Sequence, residues 1–320
     1  LDLKTIQAPA KLTLTISLND TPYHNHWDVW VYPPAAEHQR PDNVLIAREF
    51  DDRVEKALNA GGRVIVFPSM PSKAAVPSAF ESIFWNTQWF PGQRRQLGIL
   101  CDPAHPLLKL FPNDGHTDWQ WWSLLNGSTV LNLDSLSSEL RPVVQIVDDW
   151  NKNRKLGAVF EAAVGKGKLL VCSLGDINAP AKDPAEYWFI ESLLNYAQSE
   201  AFTPATALEF AALKTFFEKP AISLLKVDSE ERGYAGANAL DGDPGTLWHT
   251  PWEGDAPNYP HEIQFKLSKP AKIQGIRLLP RQDVANGFIS KYKVYAGNDG
   301  KKWGRPVAQG TLEKTASPKE

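Results

Sequence analysis

The chain has 320 residues, enough for two domains that each bury a core, and its 42% hydrophobic and 22% charged residues are those of an ordinary globular protein. A formal net charge of -3 leaves no basic footprint for DNA or RNA, which argues against nucleic acid as a partner. No apolar run approaches the roughly 18 residues that cross a membrane, which argues against membrane insertion.

The chain starts without a methionine, in the middle of a pattern, and reads as a piece of something longer. Residues 11–18, Lys-Leu-Thr-Leu-Thr-Ile-Ser-Leu, alternate polar and apolar with period two, which predicts a half-buried antiparallel strand. One strand cannot fold alone. It either docks on the next domain or is the terminal strand of an upstream sandwich, and residues 1–22 are set apart as that segment. From residue 23 the texture changes. Residues 27–32, 43–47 and 63–67 are short continuous apolar runs, the mark of strands covered on both faces. Between the last two, residues 51–61 read as a helix. An Asp can cap its start, Val54, Ala57 and Leu58 share one face, and Gly61 supplies the left-handed stop. Strand, helix and strand with short loops predict a βαβ unit in an α/β domain.

The middle of the chain is irregular and aromatic, with Phe84, Trp85, Trp89, Phe90, Trp119, Trp121 and Trp122, and a short helix is expected from Asp118 to Asn126-Gly127. Residues 143–147 and 156–164 predict strands, and Gly165-Lys166-Gly167 turns the chain into residues 168–173, giving a hairpin at one edge of the sheet. A helix after Asp183-Pro184, with Tyr187, Ile190, Leu194 and Ala197 on one face, closes the α/β domain (23–200). Residues 201–222 read as a linker with a helical turn over 207–217, ended by Pro220. Beyond it, residues 262–267, 272–279 and 291–295 alternate as short strands between turns, which argues for a β-sandwich over 223–320.

Several chemistries fail on spacing. Gly165-Lys166-Gly167-Lys168 lacks the Walker pattern, and Cys172 lacks the flanking glycines of a nucleophile elbow. Cys101 and Cys172 sit in apolar runs and read as buried free thiols. His24 and His26 share one face of a strand without a third ligand nearby. The pairs Asp51/Asp52, Asp148/Asp149 and Glu230/Glu231 read as a helix cap or as solvated turns. Glycoside hydrolysis needs two acids facing each other across a sugar, and nothing in the sequence suggests that scaffold. Twelve tryptophans are the compositional outlier. Indoles pack first, but exposed ones form flat platforms on which sugar rings stack.

The densest stretch is 237–252, Ala-Asn-Ala-Leu-Asp-Gly-Asp-Pro-Gly-Thr-Leu-Trp-His-Thr-Pro-Trp, too rich in Gly and Pro for a helix or a central strand. With Ile273-Gln-Gly-Ile, Leu279-Pro-Arg-Gln, Asn286-Gly, Tyr292-Lys-Val-Tyr and Asp299-Gly-Lys-Lys-Trp303, it resembles the discoidin, or coagulation factor type C, domain, and most of all its family 32 carbohydrate-binding branch. The resemblance implies a jelly-roll β-sandwich with Trp248 and Trp303 in its core. It implies that galactose-type sugars are held by His249, Arg281 and Asn286, with Trp252 as a stacking face. It also implies a structural calcium on the loop of Asp241, Asp243 and Thr246, whose further glutamate ligand and closing strand are expected beyond Glu320, so the sandwich reads as C-terminally truncated.

The earlier segments Asn25-His-Trp-Asp-Val-Trp-Val-Tyr-Pro33, Trp89-Phe90-Pro, His105-Pro, Phe111-Pro-Asn and Asp118-Trp-Gln-Trp resemble the C-terminal accessory region of bacterial family 2 glycoside hydrolases of the β-galactosidase type. That resemblance implies a flavodoxin-like α/β domain behind upstream catalytic domains, in a periplasmic or extracellular protein. The reading is a non-catalytic, galactose-glycan-binding part of a glycoside hydrolase. The alternatives are a structural or oligomerising segment, and an enzyme with its site in the α/β domain near His105 or His116.

Overall fold

The computed structural model describes every residue except 1, 2, 4, 70–71, 81–95, 150–151, 179–182, 232, 253, 255 and 285. The aromatic residues Phe84, Trp85, Trp89 and Phe90 therefore lie outside the described residues. The others divide into two compact units, one up to Glu218 and one from Lys219.

In chain order the first unit carries β1 (Ala10–Ser17), β2 (His24–Val31), β3 (Val44–Ala47), α1 (Asp52–Asn59), β4 (Arg63–Val66), β5 (Ala75–Pro77), β6 (Gly98–Cys101), α2 (Trp122–Leu125), β7 (Thr129–Asn132), β8 (Val144–Val147), β9 (Leu156–Val164), β10 (Gly167–Cys172), α3 (Pro184–Gln198) and α4 (Phe210–Phe216). The expected βαβ unit is present. β3 and β4 are parallel, and α1 between them is capped by Asp51, which accepts hydrogen bonds from the N–H groups of Arg53 (3.0 Å) and Val54 (3.1 Å). Gly61 ends the helix at φ 84°, a conformation that costs any other residue a Cβ clash.

β3 through β10 form one eight-stranded sheet. Parallel pairing is confined to β3, β4 and β10, while β9, β7, β5, β8 and β6 join antiparallel. The observed architecture is thus a mixed sheet with few helices. The hairpin of β9 and β10 lies inside this sheet and not at its edge, because β10 also pairs with β4.

Strand periodicity divides the interior. Ile65, Leu170 and Cys172 face one core with Phe111, Trp121 and Phe189, and Val64, Leu169 and Val171 face another with Leu58 and Phe216. The predicted face of α3, Tyr187, Ile190, Leu194 and Ala197, is buried. Residues 201–222, expected as a linker, instead supply Phe202, Leu208, Leu213 and Phe216 to these cores. Phe216 on α4 meets Phe160 edge-on with ring centroids 5.9 Å apart.

Two further expectations differ. Residues 27–32 do not sit in the sheet: β2 pairs antiparallel with β1 in a separate two-stranded ribbon, and its side chains are mostly exposed. The terminal strand finds its partner within the chain, through a turn in which the Leu18 N–H donates to the Tyr23 carbonyl (3.0 Å). Asp148 and Asp149, read as solvated, are buried. Asp148 accepts from Arg154 at Nε (2.8 Å), Nη2 (3.1 Å) and the backbone N–H (2.9 Å), and Asp149 accepts from the Lys152 N–H (2.9 Å). Burial raises the Asp148 pKa, but the Arg154 hydrogen bonds outweigh it and hold the carboxyl below its ordinary value.

The second unit carries β11 (Ile222–Val227) paired antiparallel with β12 (Ile263–Leu267), and β13 (Lys291–Val294) paired antiparallel with β14 (Ala308–Thr311). Residues 272–279, predicted as a strand, make only the bridge of Leu278 with Lys319. Alternation sets which side chains share a face, but a strand also needs a neighbouring backbone, and Ile273 and Ile276 remain exposed. Trp248 and Trp303, expected in the core, are half-buried. No helix among the described residues is long and apolar enough to cross a membrane.

Candidate functional site

The loop that precedes β12 is folded back on the turn after β11. The Glu231 N–H donates to the His249 carbonyl (2.8 Å), and the His249 N–H donates to the Tyr234 carbonyl (3.1 Å). Trp248 reinforces the fold, its indole Nε1–H donating to the Ser229 carbonyl at 2.9 Å. These ties place three rings together. His249 and Trp252 stand nearly perpendicular with centroids 4.8 Å apart, and Tyr234 meets Trp252 at 5.2 Å. Trp252 is 51% exposed, so a flat apolar face is open to a ligand. His249 Nδ1 lies 2.6 Å from the Thr250 carbonyl oxygen. In the neutral ring Nδ1 therefore carries the hydrogen and Nε2 presents a lone pair.

The second wall comes from the turn after residue 280. Arg281 donates from Nε to Asp283 Oδ1 and from Nη2 to Asp283 Oδ2, both at 2.8 Å, and from Nη1 to Asn286 Oδ1 at 3.0 Å. The hydrogen-bonded Arg281 holds the Asp283 carboxyl below its ordinary pKa, and the guanidinium is correspondingly held more firmly protonated. Gly287, at φ 72°, closes the turn. A Cβ there would come within 3.1 Å of His249 Nε2 and 3.6 Å of Arg281 Nη1, so both nitrogens border the same bare backbone. His249, Arg281, Asn286 and Trp252 are thus brought together from separate segments. The cluster offers an acceptor at His249 Nε2 and donors at Arg281 Nη1 and Asn286 Nδ2.

Tyr234 and Asp283 belong to this cluster and were not anticipated. The Arg-x-Asp spacing at 281–283 was an available signal for the second, since a carboxylate two residues on can fork an arginine within one turn. Tyr234 stands in a turn that announces no partner.

The metal-candidate loop is closed by its own oxygens. Asp241 Oδ1 accepts from the Asp243 N–H (2.9 Å), and Thr246 Oγ1 lies 2.6 Å from Asp241 Oδ2 and 3.1 Å from the Asp243 carbonyl oxygen. The Thr246 hydroxyl thus joins the Asp241 carboxylate to the Asp243 carbonyl, and hard oxygens of this kind are those calcium takes. Among the described residues, no group of three or more His, Cys, Asp or Glu side chains is arranged to hold a metal.

In the first unit His105, His116 and Asp118 are tied to nearby backbone. His105 Nδ1 accepts from the Leu107 N–H (3.2 Å), His116 Nδ1 is 3.1 Å from the Thr117 carbonyl oxygen, and Asp118 caps the turn at Trp119–Trp121 by accepting from the Gln120 N–H (3.1 Å). Cys101 and Cys172 are free thiols, both pushed by burial up to about 12. Cys172 is fully buried and Cys101 only partly so. A thiol protonated at neutral pH is a poor nucleophile.

The strands and loops of the second unit belong to an F5/8 type C (discoidin) domain, whose family model matches residues 224–320. The chain itself belongs to the family described as domain of unknown function DUF8487, which matches residues 45–218, more than half of its length, and a further domain of unknown function, DUF8488, matches residues 1–33. Among curated proteins, a sialidase from Micromonospora viridifaciens is 28% identical over 174 residues, covering 53% of this chain and 25% of the sialidase. A galactose oxidase from Gibberella zeae is 39% identical over 87 residues, covering 26% of this chain and 13% of the oxidase. An A type blood N-acetyl-alpha-D-galactosamine deacetylase from Flavonifractor plautii is 35% identical over 60 residues, covering 19% of this chain and 8% of the deacetylase. The chain spans no more than 25% of the length of any of these relatives.

Proposed function

We propose that the F5/8 type C domain binds a galactose-containing glycan, with His249, Arg281 and Asn286 holding adjacent hydroxyls and Trp252 stacking on the ring. The observation that carries this reading is the convergence of His249 Nε2 and Arg281 Nη1 on Gly287, with Asn286 bonded to the same guanidinium. A sugar hydroxyl donates one hydrogen bond and accepts others, so a lone pair beside two donors matches a pair of neighbouring hydroxyls. An axial hydroxyl that meets these groups distinguishes galactose from glucose, because the epimer leaves polar groups unpaired at the contact. Sialidase, galactose oxidase and N-acetylgalactosamine deacetylase are names from the same carbohydrate chemistry, which supports the choice of ligand class.

The whole chain reads as a non-catalytic accessory part of a secreted bacterial glycoside hydrolase of the β-galactosidase type, working behind upstream catalytic domains. Its β3-α1-β4 unit supports relating the mixed sheet to a flavodoxin-like accessory domain. Asp241, Asp243 and Thr246 would be the residues to hold a structural calcium, whose charge would stiffen the loop that leads to Trp248 and His249.

Calorimetric titration with galactose, N-acetylgalactosamine and glucose tests the sugar site. Galactose is expected to bind at least about tenfold more tightly than glucose, equivalent to roughly 1.4 kcal/mol. His249→Ala is expected to abolish measurable binding while leaving thermal unfolding unchanged. Equal binding of the two epimers, or intact binding by His249→Ala, would sink the assignment.

A further inference from the structure

The arginine at this site is not a free cation. Its side chain is 13% exposed, and two of its three nitrogens are occupied by one carboxylate in a planar fork, Nε to Asp283 Oδ1 and Nη2 to Asp283 Oδ2 at 2.8 Å each. Only Nη1 is turned toward Asn286 and the Gly287 edge that His249 shares. The pair fixes the guanidinium plane, since two parallel hydrogen bonds leave no rotation about Nε, and it cancels the charge at the place where a ligand would meet it. The other polar wall is an imidazole whose neutral ring presents a lone pair at Nε2, because its Nδ1 hydrogen is committed to the Thr250 carbonyl. An anionic ligand would therefore face the Asp283 carboxylate and the His249 lone pair, with no unbalanced positive charge among the site's own groups to repay its desolvation.

We propose that Asp283 is a positioning and specificity-determining residue, which orients Arg281 Nη1 for a hydroxyl and confines the site to uncharged sugars. The ligand class is then a terminal galactose-type residue without an acidic substituent, and excludes uronic acids and sialic acid. The proposal rests on the reading of this cluster as a sugar site and adds to it the source of selection between neutral and acidic sugars. Asp283 is 54% exposed, and thermal unfolding of each variant checks that its replacement leaves the fold in place.

The test titrates the full chain and its Asp283→Asn and Asp283→Glu variants with galactose, galacturonic acid and N-acetylneuraminic acid, with thermal unfolding as the control for folding. The unaltered protein is expected to bind galactose at least tenfold more tightly than either acid. In Asp283→Asn galactose weakens severalfold and at least one acid strengthens, so that the preference falls at least tenfold. The gained acid binding weakens as salt is raised to about 0.15 M, as an unneutralised arginine requires. Asp283→Glu, which keeps the charge, restores the neutral preference. Acid binding equal to galactose in the unaltered protein, or a preference unchanged by Asp283→Asn, overturns the role of Asp283 and leaves the sugar site standing. Absence of galactose binding by the unaltered protein overturns the sugar site itself, and this proposal with it.

Discussion

The two units hold themselves together by different means. Up to Glu218 the sheet is covered on both faces, and side chains such as Phe160, Leu170 and Trp121 are wholly removed from water. Beyond Lys219, no apolar side chain among the described residues is fully buried. There the chain is shaped by side chains bonded to nearby backbone. Trp248 bonds to Ser229, Asn238 to the Leu247 carbonyl (2.9 Å), and Asp299 accepts from the Lys301 and Lys302 N–H groups (2.9 Å each). Burial is non-directional and scales with area, so it resists unfolding without specifying where a polar atom points. Hydrogen bonds contribute only about 1 kcal/mol each but fix direction, which is what a recognition site requires. The unit with the weaker interior is thus the one that carries the candidate site.

The sharpest way to break this contrast is to empty the first core. Phe160→Ala removes a fully buried ring that meets Phe216, and is expected to lower stability by about 3–5 kcal/mol in denaturant unfolding. Galactose binding by the protein that remains folded is expected to be unchanged, because Phe160 belongs to the first unit's core and the cluster's residues belong to the second unit. Altered binding would mean that the interior of the first unit does shape the sugar cluster.

Calcium probes the other unit. If Asp241, Asp243 and Thr246 hold the ion, calcium at a hundred times its dissociation constant stabilises the second unit by about 2.7 kcal/mol. A scanning calorimetry trace is then expected to shift in one transition only, and Asp241→Asn to remove the shift. A shift that survives Asp241→Asn would place the ion elsewhere.

What could be read in advance follows the same division. Helix ends were legible because their signals are local: Asp51 and Gly61 bracket α1, and Asp183-Pro184 opens α3. Strands were legible as apolar runs, but their partners were not. Residues 27–32 look like a central strand, yet pair with β1 in an exposed ribbon, because a run of apolar side chains does not say which backbone lies alongside. The burial of Asp148 was hidden for a related reason, since a carboxylate pair in a polar turn reads alike whether it faces water or Arg154. In the candidate site, the positions of His249, Arg281, Asn286 and Trp252 came from a resembling pattern, and their clustering is visible only in the fold. Tyr234 and Asp283 were not legible, because their part is set by contacts that exist only once the loops are folded.

The smallest expected effect lies in the first unit, at a polar group its interior tolerates. Burial pushes the Asp118 carboxyl up to about 6, against the hydrogen bonds it accepts from Gln120. A folded pKa above the unfolded value of about 3.9 means that the contribution of this group is most favourable below pH 4 and is lost as pH rises through 6. The full two-unit shift corresponds to about 2.7 kcal/mol, and partial solvent screening reduces it to roughly 1 kcal/mol. Asp118→Asn keeps a capping oxygen for the Gln120 N–H, and Gln120 Nε2 retains the Pro112 carbonyl at 2.7 Å as an acceptor. The variant is therefore expected to be more stable than the parent by about 1 kcal/mol at pH 7.5 and equal to it near pH 4, as read from paired denaturant titrations. A gain that is the same at both pH values would locate the effect in packing and not in the charge of the half-buried Asp118 carboxyl.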